Sequence, residues 1–261
     1  MAQMNNSLIP NYVSTPNGYD ITGVGSFARV SNIIAMANFG NDILEGWKKK
    51  QRRKAFDLGV SDLLCDSDIV SHSSKDLLDL WDSSYNAPDN IASNSAEFGT
   101  LLHEFLEVYL TTGVMQEVKK HPYADTSICR QSMIKFVNDW NLGPHTTFKA
   151  ECLIWSSVYN YAGCIDYIAV KDGKVYILDW KTTGHLHSKY LLQLSAYWVA
   201  LEERAKEYNL PGPIEHVYLV RFDKAYPYYE YIDFGREQML QYFEVFKSLI
   251  NIYNFNKQVH L

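Results

Sequence analysis

The chain has 261 residues, of which 47% are hydrophobic and 21% are charged, and its formal net charge is −6. These proportions are those of a globular protein with a buried core. The acidic balance argues against a protein coated in basic residues for non-specific nucleic-acid binding, although it leaves room for a local basic patch. We find no run of about 18 apolar residues and no secretory leader, so we expect a cytoplasmic protein without a membrane partner.

The first part of the chain is predicted to be mainly helical. About the first twenty residues are polar and contain Pro10, Pro16 and Gly18, which favours an extended arm rather than a packed element. From about residue 26 to 60 the pattern predicts helix, and the Ser- and Asp-rich segment from 61 to 95 predicts short helices and loops.

A dense group of basic residues occupies the segment EGWKKKQRRK, residues 45 to 54. Its basic side chains are Lys48, Lys49, Lys50, Arg52, Arg53 and Lys54. On a helix such a run is typical of a solvated face, which is the favoured interpretation of the segment by itself. A surface that holds a polyanion is the alternative.

Two more helices are predicted before residue 145. The segment NSAEFGTLLHEFLEVYL, residues 94 to 110, has apolar residues at helical spacing, and Asn94 with Glu97 fits an N-terminal capping pattern. The next helix is predicted over residues 126 to 140.

After residue 145 the pattern becomes strand-like, with many aromatic and β-branched residues and a hairpin signal at Asp172-Gly173. A helix interrupts the strands from 188 to 209, and another helix closes the chain. We therefore expect an α/β fold with a mixed central sheet flanked by helices, in one domain over residues 1–261. Its parts are a helical N-terminal region to about residue 145, a sheet core to about 235 and a C-terminal helix.

The segment YILDWKTT, residues 176 to 183, places two charges at the end of an otherwise apolar strand face. Because side chains alternate along a strand, Asp179 and Lys181 share a face with Val175 and Ile177. Burying a carboxylate and an ammonium is costly unless they are paired or bind something. A solvated strand end and an active site are the two alternatives.

A second carboxylate favours the active site. Asp166 lies in the preceding strand, and the hairpin places it beside Asp179. Mg²⁺ prefers oxygen ligands and often takes one or two carboxylates together with substrate phosphates. Lys181 could then position or deprotonate the attacking water, or stabilise negative charge on the phosphate. These three residues predict phosphoryl-transfer chemistry.

Four motifs follow one another along the chain. They are G-x-x-x-H at Gly99 to His103, G-x-x-D at Gly163 to Asp166, D-x-K at Asp179 to Lys181 and Q-x-x-x-Y at Gln193 to Tyr197. A single D-x-K is a weak signal, but the ordered set resembles the PD-(D/E)XK nucleases over about residues 26 to 205. The similar branch contains the RecB nuclease domain, CRISPR-associated exonucleases and the mitochondrial genome-maintenance exonuclease. The resemblance implies a restriction-endonuclease-like core.

The resemblance also implies a role for each motif residue. The implied metal ligands are His103, Asp166, Asp179 and the backbone carbonyl of Trp180. The implied catalytic residues are Lys181, Asp166, Asp179, Gln193 and Tyr197. The last two are four apart on one helix face, where they would orient the lysine or the DNA strand. For Glu151, in the strand before Asp166, a metal ligand and a surface salt bridge remain alternatives.

The resemblance implies a DNA nuclease that depends on Mg²⁺ or Mn²⁺ and hydrolyses phosphodiesters with a metal-activated water. An exonuclease acting on single-stranded DNA, ends or flaps in recombination, repair or replication is favoured. The resemblance also implies that the basic segment, together with Trp47, is a DNA-binding surface. Because the chain has no phosphate loop of an ATPase, a helicase or recombinase would be a separate partner.

The cysteines predict no cofactor of their own. Cys65, Cys129, Cys152 and Cys164 form no CxxC pair, which predicts reduced thiols rather than a zinc ribbon or a disulfide scaffold. Members of the family with an iron–sulfur cluster have three cysteines after the nuclease core, and this chain has none after Cys164, so no cluster is expected.

Three alternatives to an exonuclease remain open. A non-catalytic nucleic-acid-binding protein could retain the nuclease fold, although the intact motif residues count against it. A structure-specific endonuclease or an RNA-directed enzyme is compatible with the same motifs, because they define the reaction centre and not the path of the strand. A plain α/β domain with a strand-end ion pair explains neither the order nor the number of the motifs.

Overall fold

The computed structural model describes residues 10–37, 41–65 and 74–259. Its strands are β1 (Tyr12–Thr15), β2 (Gly18–Ile21), β3 (Gly25–Arg29), β4 (Thr147–Ser156), β5 (Tyr161–Lys171), β6 (Lys174–Lys181), β7 (Ile214–Phe222) and β8 (Tyr229–Phe234). Its helices are α1 (Val30–Ala35), α2 (Asn41–Cys65), α3 (Ser74–Thr112), α4 (Thr126–Asp139), α5 (Ser188–Glu203) and α6 (Arg236–Val259).

All the strands join one mixed sheet in the order β1-β2-β3-β5-β6-β7-β8, with β4 paired to β5. The β4 ladder runs along one edge of β5. The opposite edge is shared, because β3 pairs in parallel with Tyr161 and Ala162, whereas β6 pairs antiparallel from Tyr167 onward. The segment of β5 from 163 to 166 therefore has no ladder partner on that edge.

Helices cover both faces of the sheet, and an apolar cluster lies between the helices and the strands on each face. On one face, α1, α5 and α6 pack on the strands in a cluster that includes Ile177, Trp198 and Phe246. On the other face, α3 and α4 pack in a cluster that includes Phe105 and Trp180. The α/β fold with a mixed, helix-flanked sheet is confirmed. No helix among the described residues is long and apolar enough to cross a membrane.

The N-terminal region is a packed β-meander, so the prediction of an extended arm is wrong for the described residues from 10 onward. Strands β1, β2 and β3 pair antiparallel in sequence, and β3 joins them to β5. Tyr19, Ile21 and Phe27 are buried in the core. The helix predicted from residue 26 is wrong at its start, because residues to Arg29 continue β3. Residues 1–9 lie outside the described part of the chain.

A single helix, α3, replaces the short helices and loops that we predicted up to residue 95. It runs through Pro88, and Asn94 lies in its interior instead of capping an end. The proposed capping residue Glu97 accepts a hydrogen bond from Ser93 Oγ at 3.1 Å. The N-terminal half of α3 packs on α2, and this tertiary contact overrides the local signals of loop. Residues 66–73 lie outside the described part.

The remaining local predictions are confirmed, except that α5 ends at Glu203 and not at residue 209. Helix α4 begins after Asp125, whose carboxylate accepts a hydrogen bond from Ser127 N at 2.8 Å. Asp172 and Gly173 both have positive φ, at 51° and 74°, as a two-residue hairpin turn requires. Helices α5 and α6 lie within the predicted segments.

Replacing Gly18 by alanine tests whether the meander is packed. A Cβ atom there would lie 2.0 Å from the backbone oxygen of Phe27, so β2 and β3 could not keep their spacing. We expect the free energy of unfolding, measured in urea, to fall by about 1–3 kcal/mol. Gly46→Ala is the control, because its Cβ would meet nothing within 4 Å and alanine favours the helix. An unchanged stability in Gly18→Ala would instead indicate a detached arm.

Candidate active site

The two charges of β6 end a buried strand face, as the alternation of side chains predicts. Asp179 is only 1% exposed and its carboxylate contacts the ammonium of Lys181. Neither carboxylate oxygen accepts a hydrogen bond of normal geometry. Lys181 Nζ also lies 5.2 Å from the centre of the Tyr190 ring. The solvated strand end is therefore excluded by burial.

Burial and neighbouring charges shift the pKa values of this pair. Desolvation and the negative charge of Asp166 raise the pKa of Asp179, against the opposing effect of the Lys181 ammonium. The pKa of Lys181 is raised, because Asp179 and Asp166 together outweigh the desolvation that would lower it. Lys181 is therefore a firmly protonated cation at neutral pH.

Asp166 lies at the unpaired edge of β5, where β3 has ended and β6 has not yet joined. Its Oδ2 accepts a hydrogen bond from the backbone nitrogen of Trp180 at 2.9 Å, which ties the carboxylate to β6 where the ladder stops. The β5–β6 register predicts that Asp166 faces Asp179, and the structure places them as neighbours whose charges interact.

Helix α5 closes one side of the site through Gln193 and Tyr197. Gln193 Nε2 donates a hydrogen bond to Tyr197 Oη at 2.7 Å, as expected for residues four apart on one helix face. The Tyr197 ring lies against Gly163, where a Cβ would come within 2.4 Å of Cε1. Burial and the charge of Asp179 raise the pKa of Tyr197, so the phenol stays protonated. The glycine of G-x-x-D thus makes room for the tyrosine of Q-x-x-x-Y.

His103 reaches the site from α3. Its Nδ1 lies 3.8 Å from Asp166 Oδ2. Desolvation lowers the pKa of His103, although Asp166 and an interaction with the Trp180 backbone raise it in part. Because a hydrogen-bond acceptor favours the imidazolium, the Trp180 group in that interaction is its carbonyl. A neutral imidazole can ligate a metal ion.

Glu151 has an unusual backbone conformation in the middle of β4. Its φ of 44° is in the left-handed region, which costs a non-glycine residue about 1–3 kcal/mol, and such strain is typical of functional sites. The residues on either side, Ala150 and Cys152, pair with Tyr167 and Ile165, so Glu151 lies opposite Asp166. Although Glu151 remains exposed, partial desolvation and the Asp166 charge raise its pKa to about 7.

His103 and Glu151 line one cleft, and Asp166 lies beside it. One ligand atom each from His103, Glu151 and Asp166 lies within 4.8 Å of the other two. The cleft beside them has a volume of about 530 Å³. It is lined by Ala96, Gly99, Thr100, His103, Glu104, Glu107 and Glu151. Asp179 is not one of the three converging groups, because its carboxylate contacts Lys181.

These groups fit a divalent cation. Ligands of one Mg²⁺ ion at about 2.1 Å lie at most about 4.2 Å apart, so a small rotation of the side chains would bring the three atoms into range. Two carboxylates and a neutral imidazole form a donor set for a hard or borderline ion. The Asp179 carboxylate, which contacts the Lys181 ammonium and accepts no hydrogen bond of normal geometry, is a further anionic group beside the cluster.

The basic segment lies elsewhere, on α2. Its exposed cations are Lys49, Lys50, Arg53 and Lys54, whereas Trp47, Lys48 and Arg52 are half-buried. Lys48 pairs with Glu45 at 3.6 Å, and Arg53 pairs with Asp57 at 3.7 Å. None of the seven residues lines the cleft, so their proposed role in DNA binding would be exerted at a distance from it.

Sequence reasoning missed two acidic residues of the cleft. Glu104 and Glu107 follow His103 by one and four residues on α3 and line the same cavity. The spacing of His103 and Glu107 places both on one helix face, a signal that could have identified Glu107. Glu107 also raises the pKa of Glu151 through its charge.

Comparisons with known proteins agree with this geometry. Residues 77–251, about two-thirds of the chain, match the sequence model of the PD-(D/E)XK nuclease superfamily. The chain belongs to this superfamily. The resemblance inferred from the four motifs is thereby confirmed. Membership supports a nuclease, and PD-(D/E)XK nucleases hydrolyse phosphodiesters with divalent metals.

The solved structures that match this chain include a distant structural neighbour. It is an alkaline exonuclease from Laribacter hongkongensis, with 10% sequence identity and a TM-score of 0.29. The alignment covers 64% of this chain and 92% of that one. So low a similarity carries no argument about activity. The comparison with curated proteins gave no match.

The two motif glycines should respond oppositely to alanine. In Gly163→Ala the Cβ would overlap the Tyr197 ring at 2.4 Å, and we expect about 1–3 kcal/mol less unfolding free energy together with a displaced tyrosine. In Gly99→Ala the nearest atom, Thr182 Oγ1, is 3.6 Å away, so stability should hold or rise because alanine favours the helix. Urea denaturation measures both. Equal losses would show that Gly163 does not accommodate Tyr197.

Replacing Asp166 by asparagine should separate charge repulsion from cation binding. Without divalent ions, removing the Asp166 charge relieves its repulsion of Asp179 and Glu151 but also removes its attraction for Lys181, so we expect the unfolding free energy to change by less than about 1 kcal/mol. With excess Mn²⁺, the wild type should gain thermal stability and the variant should gain much less. Thermal unfolding with and without Mn²⁺ measures both effects, with exposed Asp62→Asn as the control. An equal Mn²⁺ effect in Asp166→Asn would place the cation elsewhere.

Proposed function

We propose that this nuclease hydrolyses DNA phosphodiesters with Mg²⁺ or Mn²⁺ and that it is an exonuclease on single-stranded DNA, ends or flaps. The observation that carries the proposal is the convergence of His103, Glu151 and Asp166 beside the buried Asp179–Lys181 pair. A nuclease fold with a decayed site would be expected to lack at least one of these groups.

The proposed cation would be held by His103, Glu151 and Asp166, with Asp179 and the Trp180 carbonyl as further ligands. When bound, it would supply Lewis-acid activation of the phosphate and of water. The chain's own contribution is to collect anionic ligands, and their partial desolvation and mutual repulsion, which raise the pKa of Glu151, disfavour the empty arrangement. Trp180 N fixes Asp166, and the strained backbone of β4 directs Glu151 toward the cleft.

Lys181 acts, in this proposal, as a fixed positive charge. Its raised pKa keeps the ammonium protonated, which favours stabilisation of the charge that develops on the phosphate over abstraction of a proton. Asp179 and the Tyr190 ring hold the ammonium in place. Gln193 and Tyr197 would position this pair from α5, because the protonated phenol is a hydrogen-bond donor beside Asp179.

The proposed substrate rests on the distribution of charge and on the lack of a base-reading module beside the motifs. Acidic groups line the cleft, so a polyanion needs an attractive surface elsewhere on the protein, and the cations of α2 supply one. No base-reading module accompanies the motifs, which favours an enzyme without sequence specificity. Roles in recombination, repair or replication, and a helicase or recombinase partner, extend the same proposal.

Lys181→Ala is the decisive variant for the proposed activity. We expect metal-dependent DNA hydrolysis to fall at least about 100-fold, because a preorganised charge at the phosphate is lost. Lys189→Ala is a matched control, since Lys189 Nζ also lies over the Tyr190 ring, at 5.3 Å, but on the exposed surface. The measurement is a time course on single-stranded and duplex DNA labelled at either end, with Mg²⁺, Mn²⁺ or chelator.

The product pattern distinguishes the alternatives. A ladder that shortens from one labelled end indicates an exonuclease and gives its polarity. Internal products at junctions indicate a structure-specific endonuclease. If the wild type binds DNA but leaves it intact with both metals, the protein is a non-catalytic binder. Equal activity in Lys181→Ala and the wild type would contradict the proposed role of the lysine.

A further inference from the structure

Helices α2 and α3 form an antiparallel pair, and a groove lies between them, away from the active site. Contacts run in opposite directions along the two helices, since Arg52 meets Tyr85 and Phe56 meets Trp81. The groove has a volume of about 240 Å³. It is lined by Arg52, Arg53, Phe56, Trp81, Ser84 and Tyr85. Its α2 side precedes residues 77–251, the part that matches the superfamily.

Large aromatic side chains in this groove are left open to solvent. Trp81 is 59% exposed and Tyr85 is 53% exposed, so neither serves as a core residue. The ring of Phe56 meets Trp81 edge-on, with centroids 6.3 Å apart and planes at 78°. Exposed aromatic groups gathered in one groove mark an interaction site more often than isolated exposed residues do.

An arginine is built into the same groove. The guanidinium of Arg52 lies 4.1 Å from the centre of the Tyr85 ring, and Arg52 Nε donates a hydrogen bond to Tyr85 O at 3.1 Å. These two contacts fix a flat cation beside the open rings. Planar cations and aromatic rings are the surfaces on which unpaired bases stack.

The charge around the groove suits a polyanion. The ten residues from 47 to 56 contain six cations and no acidic residue, and the flanking Glu45 and Asp57 pair with Lys48 and Arg53. Arg53 has a side chain that is 85% exposed at the rim, and Lys49 lies one turn away on the same face of α2. Asp79 and Asp82 flank Trp81 in the sequence but do not line the groove.

We propose that this groove binds single-stranded DNA by stacking unpaired bases on Trp81 and Tyr85, with the phosphates held by Arg53 and Lys49. The inference rests on the proposed function, because it assigns a second contact to the same substrate. Groove volume, open rings and local cations together favour a nucleic-acid strand over an apolar protein partner.

The length of α3 sets the distance between the groove and the cleft. Tyr85 precedes His103 by eighteen residues on one helix, which corresponds to about 27 Å at 1.5 Å per residue. Stacked nucleotides at 3.4 Å each would need about eight units to cover that distance. At that spacing a strand of four nucleotides in the cleft ends well short of the groove, whereas one of twenty reaches it.

Trp81→Ala tests the inference without disturbing the core, because the side chain is exposed. With chelator present, we expect binding of a labelled 20-nucleotide oligothymidylate to weaken about 5- to 100-fold, as for the loss of one stacked base. Binding of a 20-unit abasic strand, which keeps the phosphates, should not change. Trp81→Phe should retain most of the affinity. Phe255→Ala is the control, since Phe255 is 63% exposed on α6, far from the groove in sequence.

Cleavage supplies an independent measurement. In Trp81→Ala we expect a raised KM for the 20-nucleotide strand, with kcat unchanged on a strand of four nucleotides. Wild-type cleavage together with unaltered binding in Trp81→Ala would overturn the groove proposal and leave the nuclease proposal intact. A wild type that neither binds nor cleaves DNA would overturn both. If Trp81→Ala weakened binding of the abasic strand as much as binding of the oligothymidylate, base stacking at this groove would be overturned. A change in the oligomeric state of Trp81→Ala, measured by size exclusion, would overturn it too.

Discussion

The divided edge of β5 is the constraint on which the site depends. Strand β3 pairs with its first residues and β6 with its last, and the intervening stretch ends at Asp166. If β6 continued its ladder past Tyr167, the edge would be closed by backbone hydrogen bonds. Because it is open, Asp166 can accept the Trp180 N–H while His103 approaches from α3. Helix α3 and strands β4 and β5 thus contribute groups to one site.

The arrangement of the site lowers the stability of the folded protein, and the surrounding fold must offset that loss. Asp179 is buried with an ammonium as its neighbour and without normal hydrogen bonds, and Glu151 has a left-handed backbone. Each feature is unfavourable by itself. Large apolar clusters on both sheet faces provide the compensating stability. Such local conflict is typical of a functional site and uncommon in a plain structural strand.

Local signals in the sequence were sufficient to predict an element where that element is stabilised by its own residues. The hairpin at Asp172-Gly173 requires positive φ, and the chain supplies the two residues that adopt it most readily. Helix α4 has its own N-cap in Asp125. The N-terminal meander and the long helix α3 were not predictable in the same way, because β3 is ordered by pairing with β5, and the first half of α3 by packing on α2.

The sequence by itself determined the superfamily, the α/β class and the identity of the motif residues, because residue type and order along the chain carry that information. Only the tertiary structure decided which of these groups meet. It brought Glu151 next to His103 and Asp166, and it placed Trp81 beside the arginines of α2. These contacts join residues distant in sequence, and their geometry follows from strand register and helix packing, which no local pattern specifies.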